Sequence, residues 1–198
     1  MILLASAVAA ELKFWRSRDD VTTLFTGVGP VEASCAVTAA LCQARYRLVI
    51  NAGLAGAFDG TARIGDGVIV SEDAMELALE DGAALNLPGG EAIVDTARSD
   101  SALVARLGSK GFSALRGVTV SRVTSTDETA RRLAAELAAQ VESMEGFAAL
   151  RAAELAGVPA IQVRGISNRC GARESSGWDF AAGIAGLERI TFALFELL

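Results

Sequence analysis

The stretch VPAIQVRGISNRCGAR, residues 158–173, joins an apolar run to a polar end. The run up to Val163 is typical of a buried strand, which is expected to stop at Arg164, Ser167 and Asn168. Strands that read as continuous apolar runs belong to parallel sheets covered by helices on both faces. The stretch therefore predicts an α/β fold with polar groups at one end of a central strand.

Apolar runs alternate with helical patterns over the rest of the chain. Further strands are predicted at residues 1–8, 21–29, 47–56, 66–71 and 117–121, and the third is expected to turn into a tight, glycine-lined loop. Helices are predicted to start at residue 9 and to cover 30–46, 127–140 (with Asp127 as N-cap), 144–157 and 178–198. This order predicts one domain, residues 1–198, with a central, mainly parallel mixed β-sheet flanked by helices. Residues 72–116 have the least regular pattern, and we expect an irregular segment there.

Composition excludes several classes of function. The 198 residues carry a net charge of −6, which disfavours a nucleic-acid partner because such binding rests on neutralising phosphates. The chain has no histidine, which rules out Ser-His-Asp and Cys-His catalysis and disfavours structural zinc. Its three cysteines form no CxxC pair, which favours reduced, mostly buried thiols in a cytoplasmic protein. No apolar run reaches the roughly 20 residues needed to span a membrane, so no membrane partner is expected.

Candidate site residues follow the predicted strands, since ligands of α/β sheets bind beyond the carboxyl ends of strands. The motif GVG at 27–29 has two equally favoured interpretations: a tight turn, or backbone N–H groups that face a small ligand. A dinucleotide site is disfavoured, because Glu32 stands where its fingerprint needs glycine or alanine. Glu145 is either a helix-start charge or a partly buried acid that accepts both hydroxyls of a vicinal diol. For Glu11, an ordinary helix-start glutamate is favoured about two to one over a general base for water.

Four motifs occur together in one order: GVG at 27–29, INAGLAGAF at 50–58, VESMEG at 141–146 and VRGISN at 163–168. As a set they resemble the nucleoside phosphorylase/nucleosidase superfamily, in particular the nucleosidases that cut purine N-glycosidic bonds. The resemblance implies that Glu11 activates water and that Met144 and Glu145 hold the ribose. It implies further substrate contacts at Arg164, Ser167, Gly29, Ala55, Gly56 and Trp178. For Trp178, stacking on the purine and packing in the core are equally favoured.

Two departures from the superfamily pattern narrow the expected reaction. Asn51 stands where phosphorylases commonly place the arginine that holds phosphate, and this favours water as the acceptor. Asn168 stands where adenine-releasing relatives carry the aspartic acid that protonates the base. An amide offers N–H donors to the adjacent N7 and O6 acceptors of a 6-oxopurine, so Asn168 implies a catalytic contact to leaving hypoxanthine.

The run Ser-Asn, Arg-Cys-Gly-Ala-Arg and Trp-Asp is similar to superfamily hydrolases that release hypoxanthine from a nucleoside with a benzoate beyond its ribose. That benzoate needs a cation, for which Arg122, Arg169 and Arg173 are candidates unless they are ordinary surface charges. The resemblance implies a nucleoside partner, no metal or organic cofactor, and a homo-oligomer (a dimer or larger). The alternatives are an adenine-releasing nucleosidase, a phosphorylase, or a nucleoside-binding module without chemistry.

Overall fold

The structure is a computed structural model that describes residues 1–79, 83, 85–172 and 177–198. Its strands are β1 (Ile2–Ser6), β2 (Val21–Phe25), β3 (Leu48–Ala57), β4 (Gly67–Met75), β5 (Thr96–Arg98), β6 (Ser113–Thr119), β7 (Val141–Ser143) and β8 (Ala160–Arg169). The α-helices are α1 (Pro30–Gln43), α2 (Ser101–Gly108), α3 (Asp127–Glu136), α4 (Gly146–Leu155) and α5 (Phe180–Phe195).

The strands form one sheet that closes on itself like a barrel. Its order is β2-β1-β3-β7-β6-β4-β5, and β8 pairs with both β3 and β4. Strands β3, β7, β6, β4 and β8 therefore make a closed ring, from which β1 and β2 extend at β3 and β5 extends at β4. Five of the strand pairs are parallel and three are antiparallel. The predicted mainly parallel mixed sheet with flanking helices is confirmed, and its closure is an addition to that prediction.

Two strands run further than their sequences indicate. The predicted loop after Asn51 is wrong, because β3 continues to Ala57 and pairs with β8 along that length. The last strand, predicted over residues 158–167 with a polar end from Arg164, runs as β8 to Arg169, two residues further. The glycines of β3 lie where large neighbouring side chains need space: a Cβ at Gly53 would lie 2.4 Å from an Arg164 side-chain nitrogen. They mark close approach to the strand, not its end.

Three smaller predictions also need correction. The helix predicted from residue 9 is a short 3-10 turn over Ala9–Leu12. Helix α3 is capped by Thr126, one residue before the predicted Asp127, and the Thr126 hydroxyl accepts from the Thr129 N–H at 3.2 Å. Two of the three cysteines, Cys35 and Cys42, are exposed, so most of the thiols are not buried.

Strand alternation divides the core into two layers. Ile2 and Leu4 of β1 join the cluster that α2 and α5 cover, whereas Leu3 and Ala5 join the cluster beneath α1 and α4. The irregular segment expected over 72–116 is confined to 76–95 where that part is described, because the end of β4, then β5, α2 and the start of β6 occupy most of the rest. Across the described residues, none of the helices has both the length and the apolar character to cross a membrane.

Candidate active site

A cavity of about 400 Å³ lies beyond the carboxyl ends of β1, β3, β7 and β8. Most of the predicted site residues line it: Glu11, Ala55, Gly56, Met144, Glu145, Ser167, Asn168 and Trp178. They come from strand ends and from the segments that follow them, as the carboxyl-end rule for α/β sheets requires. Gly29 and Arg164 do not line the cavity and contact residues of its wall instead.

Glu11 is held at the cavity wall by hydrogen bonds from two strands. One carboxylate oxygen accepts from the Leu54 N–H at 2.8 Å, and the other accepts from the Ser6 hydroxyl at 2.7 Å. Gly53 leaves room for this arrangement, since a Cβ there would lie 3.1 Å from the Glu11 carboxylate. These contacts fix the orientation of a half-buried carboxylate that faces the cavity.

Glu145 is buried just before α4, with its carboxylate directed across the site. Its Oε1 accepts from the Gly29 N–H at 2.9 Å, although 116 residues separate the two. Gly29 adopts φ 99°, a left-handed conformation that favours glycine, and Pro30 then opens α1. The GVG segment is thus a tight turn whose Gly29 N–H contacts Glu145, and contact between its N–H groups and a small ligand stays a prediction.

Ser167 and Asn168 both line the cavity because β8 is irregular beside them. Consecutive side chains of a regular strand point to opposite faces. Here Ala55 pairs with Ile166 and Gly56 with Asn168, which leaves Ser167 as an extra residue. Such a bulge re-aims side chains. The Ser167 hydroxyl donates to the Asn168 Oδ1 at 2.9 Å, and the Asn168 Nδ2 donates to the Arg169 carbonyl at 3.1 Å.

Arg164 lies within the barrel behind the cavity wall. It is 2% exposed, and its Nη2 donates to the Asn51 Oδ1 and, at 3.3 Å, to the Ser143 hydroxyl. Ser143 lines the cavity, so Arg164 reaches the site through that side chain. Asn51 is 1% exposed and is itself part of this buried polar group. The predicted substrate contact of Arg164 stays a prediction, with an indirect route.

Apolar side chains complete the walls. Trp178 and Phe180 pack against each other with ring centroids 5.2 Å apart, and Val28 and Val123 contribute exposed aliphatic surface. Flat, apolar walls beside a few polar groups suit a ligand with an aromatic base. Trp178 lines the cavity and is 38% exposed, so its position agrees with ligand stacking more than with core packing.

Two charged residues at the cavity were not predicted. Glu142 is buried, and it accepts from both the Thr124 N–H, at 3.0 Å, and the Thr124 hydroxyl. Burial raises the pKa of its carboxyl above the usual value, while the Thr124 contacts oppose that shift. Lys13 brings a positive charge to the same lining. Glu142 belongs to the VESMEG motif and could have been found there, whereas no pattern singles out Lys13.

The arrangement suits a reaction that develops positive charge on a sugar. Three carboxylates, of Glu11, Glu142 and Glu145, line one small cavity with apolar walls. Carboxylates fixed in such surroundings stabilise a cation without reorganising during the reaction. Asn168 adds an amide at the same cavity. One carboxylate can therefore act on water while a second holds hydroxyl groups.

The chain matches a family model, the phosphorylase superfamily, over residues 8–194, and it belongs to that superfamily. Within it, the chain is similar to two futalosine hydrolases. The one from Thermus thermophilus is 32% identical over 173 residues, which cover 84% of this chain and 77% of that protein. The one from Acidothermus cellulolyticus is 37% identical over 184 residues, covering 86% of this chain and 73% of that protein.

A solved structure shows the same fold at low sequence identity. The native structure of the Helicobacter pylori futalosine hydrolase superimposes with a TM-score of 0.85 at 14% identity, covering 100% of this chain and 97% of that one. The closed sheet and its helices are therefore the architecture of a solved nucleosidase.

Proposed function

We propose that the chain hydrolyses the N-glycosidic bond of futalosine, releasing hypoxanthine and dehypoxanthine futalosine on a route to menaquinone. The observation that carries the proposal is the amide of Asn168, which lies at one cavity with the carboxylates of Glu11 and Glu145. The futalosine hydrolases that this chain resembles support the same substrate.

In the proposed mechanism, Glu11 accepts a proton from water as the water oxygen bonds to C1′ of the ribose. The C1′–N bond breaks and its electron pair leaves with hypoxanthine, which departs as an anion hydrogen-bonded by Asn168 and takes a proton from solvent, while Glu11 releases the proton of the attacking water to solvent. Glu145 accepts the ribose hydroxyls, with Met144 packed against the sugar. Its second contact, to the Gly29 N–H, fixes the carboxylate in place before the substrate arrives. Asn168 uses one N–H for the Arg169 carbonyl and has the other for the base.

Water is favoured over phosphate as the acceptor. Asn51 occupies the position where phosphorylases commonly place an arginine, and its Oδ1 is engaged by Arg164 inside the barrel. Both side chains are buried away from the cavity. A guanidinium that is occupied in this way does not offer its paired N–H groups to a phosphate.

The test is an incubation with futalosine, inosine, methylthioadenosine and aminodeoxyfutalosine, each with and without phosphate. We expect hypoxanthine from futalosine at a rate that phosphate does not change. Adenine release from methylthioadenosine or aminodeoxyfutalosine as the main activity would establish the adenine-type alternative. Turnover that requires phosphate would establish a phosphorylase, and binding without turnover would establish a non-catalytic module.

Self-association and a cytoplasmic location stay predictions. Exposed apolar side chains beside the cavity, Phe25, Val28 and Val31, support a homo-oligomer because such surface usually marks an interaction site. Light scattering coupled to size exclusion would measure the mass; a monomer at micromolar concentration would contradict the expected dimer or larger assembly.

A further inference from the structure

The charged side chains that line the cavity are mostly acidic, and this limits the substrates that the cavity can accept. Glu11, Glu142 and Glu145 face it, and Lys13 is the one basic residue among its described lining residues. A substrate that carries its own carboxylate is repelled by the three glutamates unless a cation receives that group. Lys13 is therefore the side chain on which entry of an anionic nucleoside depends.

Lys13 lies where the cavity meets a second cleft. The second cleft, of about 610 Å³, has Lys13 in its wall together with Phe14, Trp15, Arg16 and Phe192. One face of α5 runs past both, since Phe180 and Ile184 line the cavity while Glu188 and Phe192, at the same four-residue spacing, line the cleft. Lys13 thus lines both spaces, and one face of α5 borders both.

The ammonium group of Lys13 is available to a ligand. Among the described residues, Lys13 forms no ion pair or hydrogen bond, whereas Lys110, the other lysine of the chain, pairs with Glu196 at 2.6 Å. In the cleft, Arg18 pairs with Asp20 at 3.0 Å. Glu188 is the acidic residue of that cleft, opposite three basic ones, so the local charge favours an anion.

The three arginines that the sequence suggests as ligands of the carboxylate are less well placed than Lys13. Arg122 lines a cavity beside α3 that meets the candidate active site at Val123, and Arg169 lines a third cavity between Phe58 and α3. Arg173 falls outside the described residues. None of the described arginines lines the cavity that holds Glu11 and Glu145.

We propose that Lys13 binds the carboxylate that the nucleoside carries beyond C4′, with the aromatic part of that group lying along Phe180 and Ile184 of α5. The identity of the substrate rests on the proposed function, and the assignment of Lys13 deepens it. Removing the ammonium group removes a charge-assisted hydrogen bond, which for an exposed lysine corresponds to about a ten-fold loss.

The test compares futalosine with its methyl ester, which keeps the ring and removes the charge. We expect Lys13→Met to lower the ratio of kcat/KM for futalosine over the ester about ten-fold, and Lys13→Arg to retain most of it. Lys110→Met, the matched loss of the other lysine, is expected to leave the ratio unchanged. Because Lys13 is exposed, both variants should fold, which a thermal melt verifies.

The outcomes separate this proposal from the proposed function. If the wild type hydrolyses futalosine and Lys13→Met has the wild-type ratio, Lys13 does not read the carboxylate, while the function stands. If the wild type releases no hypoxanthine, the function is wrong. Calorimetric binding of futalosine and its ester then decides the role of Lys13: tighter binding of the acid that Lys13→Met abolishes supports it, and equal binding overturns it.

Discussion

At the scale of single residues, Glu11, the proposed base, shows how a chain without histidine can position a carboxylate. Two donors, the Leu54 N–H and the Ser6 hydroxyl, hold its carboxylate at 2.8 and 2.7 Å. They come from β3 and from the end of β1, so the base is oriented by the sheet itself. A base held by rigid elements needs little rearrangement to meet its water.

Glu11→Gln is expected to lower kcat about 100- to 10,000-fold, because an amide cannot accept the proton of water. The amide oxygen can still accept from Leu54, so substrate binding should persist, as calorimetry with futalosine would show. Glu128→Gln, at an exposed position of α3, is the matched control and should keep wild-type kcat. A Glu11→Gln variant with near-normal turnover would remove Glu11 from the mechanism.

Asn168→Asp is expected to shift base preference from 6-oxopurine to 6-aminopurine. An ionised carboxylate at this position would place an oxygen against the Arg169 carbonyl that Nδ2 now contacts at 3.1 Å, which favours the protonated acid. That acid carries a single proton, which is donated to N7 of adenine only when it turns away from the Arg169 carbonyl. The ratio of kcat/KM for futalosine over aminodeoxyfutalosine should fall ten-fold or more, about 1.4 kcal/mol. An unchanged ratio in a folded, active variant would show that Asn168 does not read the base.

At the scale of elements, glycines of β8 and β4 permit backbone contact with α5. A Cβ at Gly165 would lie 1.9 Å from the Gly183 carbonyl oxygen, and one at Gly67 would lie 2.5 Å from the Gly186 carbonyl oxygen. Helix α5 therefore rests directly on the barrel. This contact sets the position of Phe180 and Ile184 in the cavity.

Gly165→Ala is expected to destabilise the protein by about 2 kcal/mol or more, because the added methyl group must displace α5. That corresponds to a fall in Tm of roughly 4–8 °C for a chain of this size. The KM for futalosine should rise as α5 moves. Gly108→Ala is the matched control: it lies at the end of α2 with open space around its Cβ, and its Tm should stay equal or increase. Equal melting of both variants would contradict tight β8–α5 packing.

Sequence patterns predicted most of the elements, but not β5, α2 or β7, and they placed the junctions poorly. The strands at Ile2–Ser6 and Gly67–Met75 follow from apolar runs, which report burial directly. The course of β3 through its glycines could not be read in this way, because their role depends on Arg164 and Glu11, which come from other elements. Lys13 escaped notice for a similar reason, since only the position of α5 makes it part of the cavity.

At the scale of the whole molecule, the barrel contains a buried acid that links folding to pH. Asp73 of β4 is 0% exposed, and its Oδ1 accepts from the Thr119 hydroxyl at 2.8 Å. Thr119 in turn accepts from the Phe147 N–H at 2.7 Å, in the first turn of α4. Burial is the main cause that raises the pKa of Asp73 to about 6, from a reference value of 3.8.

This pKa predicts a loss of stability as pH rises. Between pH values of about 4 and 6 the native state holds a proton that the unfolded state releases, so the free energy of unfolding falls as pH increases, by on the order of 3 kcal/mol from this group. In Asp73→Asn, the free energy of unfolding in urea should depend less on pH between pH 4 and 7. A smaller decrease with rising pH should remain, because burial also raises the pKa of Glu142.

Asp20→Asn provides the comparison for this pH series. Asp20 is exposed, and the Arg18 side chain lowers its pKa. The Asp20→Asn variant should therefore keep the decrease of stability with rising pH. An Asp73→Asn profile with the same slope as the wild type between pH 4 and 6 would show that Asp73 is not protonated in the native state.

The closed ring of strands also determines at which point of its synthesis the protein can first bind a nucleoside. Strand β8 (Ala160–Arg169) is the last of its members to be translated, and it must insert between β3 and β4. Until then, a ribosome-bound chain has two long strand edges open to chaperones or to wrong partners. The same segment carries Ser167 and Asn168. A nascent chain halted before residue 160 should therefore bind no nucleoside; emergence of β8 from the exit tunnel completes the barrel, and α5, which supplies Phe180 and Ile184, then completes the cavity.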